Sequence, residues 1–148
     1  MPDFTLSSAA FEHGGAIPRR HTCDGEDVSP ALAWSGVPEG TRSLALVVDD
    51  PDAPGRTFLH WLAWGLEPEA GSLGEGEAAP VEGTNDFGST GYRGPCPPEG
   101  HGPHRYLFRL HALGAPVDVR AGAGRDELER AIRDHQLGTA ELMGTYER

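Results

Sequence analysis

The chain has 148 residues and a formal net charge of −11, which suits one domain, 1–148, able to bury a core without a metal or disulfide. That acidity weighs against nucleic acid and anionic membrane surfaces as partners, because both demand a clustered basic face. No apolar run approaches the roughly 20 residues of a membrane span. The opening MPDFTLSSAAFEHGG has no basic or apolar signal region, so a cytoplasmic protein is expected.

Phe4 to Leu6 reads as a short first strand, and Arg19 to Val28 as a polar loop with an Asp24-Gly25 turn. Ala31 to Trp34 is a short apolar strand. Ser43 to Val48 is a near-continuous apolar run, the mark of a central strand covered on both faces. It ends in Asp49-Asp50-Pro51-Asp52-Ala53-Pro54, where the residue before each proline is pushed toward extended geometry and one X-Pro bond is a candidate for cis. Thr57 to Gly65 is the next strand. Strict alternation puts Phe58, His60, Leu62 and Trp64 on one face and Leu59, Trp61 and Ala63 on the other. His60 is then either a hydrogen-bonded core histidine or a ligand-facing group.

Glu67 to Glu82 is an acidic surface excursion, and Gly83 to Gly91 a turn-dense loop. From Gly94 to Tyr106 the chain reads GPCPPEGHGPHRY, with four prolines, three glycines, two histidines and a cysteine. Proline fixes φ and glycine permits close backbone approach, so this is a stiff loop presenting His101 and His104 at the mouth of a strand. In that strand His104, Tyr106, Phe108, Leu110 and Ala112 share a face. Arg125 to His135 is an amphipathic helix with Asp126 and Glu127 at its positive end. Thr139 to Met143 is expected to add a short second helix, with Thr145 to Arg148 returning as a strand. Cys23 and Cys96 match no metal or redox spacing and are expected as free thiols in a reducing compartment, a disulfide being the alternative should they meet in space.

Cys23-Asp24-Gly25, Ser29-Pro30, Asp49 to Pro54, His60-Trp61, Gly91-Tyr92, Gly94 to Pro98, His104-Arg105-Tyr106 and Ala140-Glu141-Leu142 stand in one order. This order resembles the phosphatidylethanolamine-binding protein family, in the bacterial and archaeal branch often labelled Raf kinase inhibitor-like. The likeness covers nearly the whole chain. Its DPDAP stretch and Gly102-Pro103-His104-Arg105 are specific as a pair and weak singly. The resemblance implies a mainly β fold of two antiparallel sheets in Greek-key order with one or two peripheral C-terminal helices. It implies an anion pocket with Asp50, His60, His104, Tyr106, Pro97 and Pro98, and a cis bond at Pro54. The C-terminal helix that flanks the pocket of mammalian members has no evident match after Arg148. Relatives described as kinase or protease inhibitors imply a protein partner, and a homodimer fits this branch.

The residues support that pocket chemically. His60, His104 and the Tyr106 hydroxyl can donate to an anion, with loop N–H groups from Gly94 to Cys96 as further donors. Asp50 needs a partner, either a histidine N–H or the ammonium of a zwitterionic headgroup. Asp52, with Pro54, Gly94 and Arg105, belongs to the supporting loops. Asp50, His60 and His104 also suggest a metal site, but no HExxH or paired CxxC accompanies them, so no metal or cofactor is expected. Cys96 is the only candidate nucleophile near the site and reads better as a packing residue, so no enzyme is expected.

Overall fold

The computed structural model describes residues 3–148. In chain order the strands are β1 (Thr5–Ser7), β2 (Leu32–Ser35), β3 (Ser43–Asp50), β4 (Phe58–Leu66), β5 (Ser72–Leu73), β6 (Val81–Glu82), β7 (His104–Leu113) and β8 (Gln136–Tyr146), with helix α1 (Arg125–His135) just before β8. They make two antiparallel sheets, one of three strands in the order β1-β2-β5 and one of five in the order β6-β4-β3-β7-β8. No described helix is long and apolar enough to cross a membrane.

The central strand β3 explains the layering. All eight of its residues are buried, as a continuous apolar run requires. Leu44, Leu46 and Val48 join Leu6, Leu32 and Trp34 in a cluster between the sheets. Ala45 and Val47 face the other way, where α1 inserts Leu128 and Ile132. The order is therefore small sheet, large sheet, helix.

Strand β4 departs from the expected alternation. Val48 pairs with Trp61 but Asp49 pairs with Leu59, so His60 is an extra residue in a bulge. Trp61 and Ala63 consequently join the cluster between the sheets, on the same side as His60. Leu59, Leu62 and Trp64 face α1. A second shift, between Leu44 and Leu46, returns Leu66 to the inter-sheet side.

Three local expectations are corrected. Thr139 to Met143 is not a helix but the middle of β8. Ala140 and Leu142 are buried opposite Leu110 and Phe108, while Thr139 and Glu141 are exposed, so pairing at period two overrides local propensity. No cis peptide bond occurs among the described residues, Pro54 included. The turn after β3 is shaped instead by Asp50 Oδ1, which accepts the Asp52 N–H at 2.8 Å. Cys23 and Cys96 are not free thiols; they form a disulfide with Cα atoms 5.4 Å apart. Their loops meet because the Cys23 N–H donates to the Pro95 carbonyl at 3.1 Å.

Candidate functional site

Strand β3 ends in two aspartates on opposite faces of the sheet. Asp49 turns toward α1, where its Oδ2 accepts from Arg125 Nη2 at 2.7 Å. Asp50 turns to the inter-sheet side. Its Oδ2 accepts the Nδ1–H of His104 at 2.6 Å, and both side chains are buried. This puts the proton on Nδ1 and leaves Nε2 as the second nitrogen of the His104 ring.

Asp52 follows in the turn. Its Oδ2 accepts from the backbone N–H and Nε–H of Arg105 at 2.8 and 2.9 Å, and its Oδ1 accepts from Nη2 at 2.9 Å. These bonds to Arg105 lower its pKa to about 2, with burial opposing. Asp52 and Arg105 therefore clamp the turn after β3 to the start of β7.

The bulge in β4 presents His60 beside this pair. Its Nδ1–H donates to the Arg93 carbonyl at 2.7 Å, and its ring meets Tyr106 edge-on at 5.3 Å. Burial pushes the His60 pKa below that of a free histidine, with the Arg93 carbonyl opposing. Burial thus favours the neutral ring, whose Nε2 has no hydrogen-bond partner among the described residues. Tyr106 is 1% exposed, and its Oη has no hydrogen-bond partner among the described residues. Burial raises the pKa of this hydroxyl, reinforced by the charge of Asp50 and by a side-chain interaction with its carboxylate. Asp50 is thus its nearest acceptor, yet no bond of normal hydrogen-bond geometry forms, an uncommon condition for a buried polar atom.

The Gly94–Pro98 loop closes one wall. The Gly94 N–H donates to Asp27 Oδ1 at 2.8 Å, so it is spent on the scaffold and not offered to a ligand, contrary to expectation. A Cβ at Gly94 would lie 2.1 Å from the His21 carbonyl oxygen, which only glycine avoids. The disulfide at Cys96 fixes the loop covalently to the Arg19–Val28 segment.

These elements enclose a cavity of about 360 Å³. Asp50, His60, His104 and Tyr106 supply its polar lining; Ala53, Pro54, Phe58, Phe87, Cys96, Pro97 and Pro98 complete the wall. Asp52, Gly94 and Arg105 support it from outside. Ala53, Phe58 and Phe87 were not singled out from sequence as site residues. Phe58 carried a usable signal, two positions from His60 on the same face. Phe87 carried none beyond being an aromatic residue in a turn-rich loop. Its ring meets Phe58 at 4.8 Å, and it is 38% exposed at the rim. His101 had been recognised in the loop, and its Nδ1 lies 2.6 Å from His104 Nε2. Among the described residues, no three His, Cys, Asp or Glu side chains gather in a metal-binding group.

Known proteins share this fold. The family described as phosphatidylethanolamine-binding protein matches residues 7–147. A UPF0098 protein of Methanothermobacter thermautotrophicus is 48% identical, over 97% of this chain and 98% of its own. One of Aquifex aeolicus is 43% identical, over 95% of this chain and 86% of its own. The crystal structure of a putative phosphatidylethanolamine-binding protein homologue from Chlamydia trachomatis superposes with a TM-score of 0.94 at 38% identity, covering 100% of this chain and 99% of that one. YbcL of E. coli, described as a new member of the mammalian family, gives 0.93 at 32% identity, covering 99% of each chain. With a family match over nearly its full length and relatives this similar end to end, the chain belongs to the phosphatidylethanolamine-binding protein family.

Proposed function

We propose that the cavity at the ends of β3, β4 and β7 binds a small anion of the phosphate or carboxylate type, free or as a phospho-headgroup. The observation that carries this reading is the Tyr106 hydroxyl, a buried donor on the cavity wall that makes no well-formed hydrogen bond among the described residues. An anion oxygen would satisfy it, with the His60 and His104 rings lining the same cavity. Membership of the family supports ligand binding in general terms.

Asp50 is compatible with such a ligand because it is paired. A bare carboxylate about 4 Å from an anion would cost roughly 4 kcal/mol at an effective dielectric of about 20. The His104 N–H offsets that charge and, on gaining a second proton, becomes the matching cation. Cys96 cannot serve as a nucleophilic thiol while it is bonded to Cys23. Modulation of a kinase or protease has a single support, the exposed Phe87 ring at the rim. In that case Phe87→Ala would abolish capture of the partner.

Calorimetric titration with inorganic phosphate and with phosphoethanolamine tests the main reading. Binding of both implies recognition of the phosphate itself, and binding of phosphoethanolamine alone a headgroup. His104→Ala should abolish binding while circular dichroism shows a folded protein. Absence of binding to the wild type from about pH 5 to 8, where histidine changes charge, would refute the proposal.

A further inference from the structure

We propose that His101 is a displaceable cap on His104, occupying the one ring nitrogen through which His104 can reach a ligand. The inference deepens the anion-site reading and rests on it for the identity of the displacing group.

An imidazole has two ring nitrogens and therefore two hydrogen-bonding positions. His104 commits Nδ1 to Asp50 Oδ2 at 2.6 Å. Its Nε2 lies 2.6 Å from His101 Nδ1. With Nδ1–H facing the carboxylate, a neutral His104 accepts at Nε2 and His101 is the donor. In this state His104 has no donor left for an anion, although it lines the cavity.

The two histidines differ in their freedom to move. His104 is 2% exposed, begins β7 and is anchored by Asp50. His101 is exposed, and among the described residues its side chain makes no hydrogen bond other than that to His104. It stands between Gly100 and Gly102, whose φ values of 75° and 84° are conformations that glycine adopts without strain. The turn is held by its own backbone, the His101 N–H donating to the Pro98 carbonyl at 3.2 Å and the Gly100 N–H to the Arg148 carbonyl at 2.9 Å. The ring of His101 can therefore swing away by side-chain rotation while the turn stays in place. An arriving anion takes over Nε2 of His104 once that nitrogen carries a proton, and the His101 ring moves to solvent. Exposed rotamer changes of this kind take picoseconds to nanoseconds, so the cap lowers affinity without slowing access.

Two measurements test the cap, one without ligand. In nitrogen-15 NMR of the free protein, His101→Ala should shift the His104 Nε2 resonance while the Asp50-bonded Nδ1–H persists. An unchanged Nε2 resonance would overturn the proposal. In phosphate titrations, His101→Ala should bind roughly 2- to 10-fold more tightly than the wild type, the worth of one competing hydrogen bond. Equal binding would show that nothing competes, and weaker binding would make His101 a ligand donor; either result overturns the cap. If neither protein binds phosphate yet the Nε2 resonance shifts, the cap stands and the anion assignment falls.

Discussion

His104 donates its Nδ1–H to Asp50 Oδ2 at 2.6 Å, and neither residue is more than 3% exposed. A hydrogen bond to a charged acceptor contributes about 1.5–3 kcal/mol when both partners are native. Asp50→Asn keeps the shape and the Asp52 turn contact but removes the charge. It should lower unfolding stability by about 2 kcal/mol, read from the urea midpoint at constant slope. A loss below about 0.5 kcal/mol would mean that the carboxylate is not the anchor of His104.

Burial lowers the pKa of His60, so the native ring stays neutral at pH values where the unfolded chain already takes up a proton. The unfolded state then binds more protons than the native one, and stability must fall as pH drops through about 6.5 toward the lower native value. Above about 6.5 His60 contributes no pH dependence. His111 is shifted in the same direction by burial and adds to the effect. His60→Phe should therefore flatten, without abolishing, the loss of stability between about pH 6.5 and 5, followed by thermal unfolding across that range.

Anion affinity should move the opposite way. As pH falls below about 6.5 toward the lowered His60 value that ring gains charge, and binding should strengthen despite the nearby carboxylates Asp50 and Asp52. Sulfate is the discriminating titrant, because its own charge is constant there whereas phosphate titrates. Flat sulfate affinity from about pH 5 to 8 would remove the histidines as the source of attraction.

The disulfide joins residues 73 positions apart. Loop-closure entropy for a ring of that length is worth about 4 kcal/mol on the chain-entropy scale. Cys23→Ser with Cys96→Ser should lower stability by an amount of that order or less. It should also weaken phosphate binding, because Cys96 belongs to the cavity wall. Urea unfolding of the oxidised wild type beside the double variant measures the first effect, and calorimetry the second.

Gly94→Ala is expected to be among the most damaging single-methyl changes near the site. The new Cβ would sit 2.1 Å from the His21 carbonyl and 2.6 Å from Asp27 Oδ1, so backbone must move. A cost of about 3 kcal/mol, the upper end for overpacking, is expected in urea unfolding. Arg105→Ala, by contrast, removes an exposed partner of Asp52 and should cost less than about 1 kcal/mol.

Most of the sheet was legible because β3 carries a continuous apolar run from Leu44 to Val48 and β7 alternates over most of its length, so local pattern and tertiary environment agree. The helix Arg125–His135 was legible for the same reason. The expectations of a helix at Thr139 to Met143 and of free thiols at Cys23 and Cys96 are overturned where local sequence competes with a distant partner. Ala140 and Leu142 become strand residues only because Leu110 and Phe108 are available to pair with them. The two cysteines bond because a turn at Thr22 and a proline-rich loop 73 residues on happen to meet. The polar residues round the cavity were named from motif and face alone. Phe87 could not be, since its position depends on Asn85, whose Oδ1 accepts the Phe87 N–H at 3.0 Å and aims the loop back over Phe58.

The bulge in β4 has a mechanical consequence. A regular pleat gives one side of a sheet only every second residue. The inserted residue lets His60 and Trp61, covalent neighbours, both point inward, one to the cavity and one into the hydrophobic interior. A tug on the imidazole from an occupant therefore reaches the indole through a single peptide link.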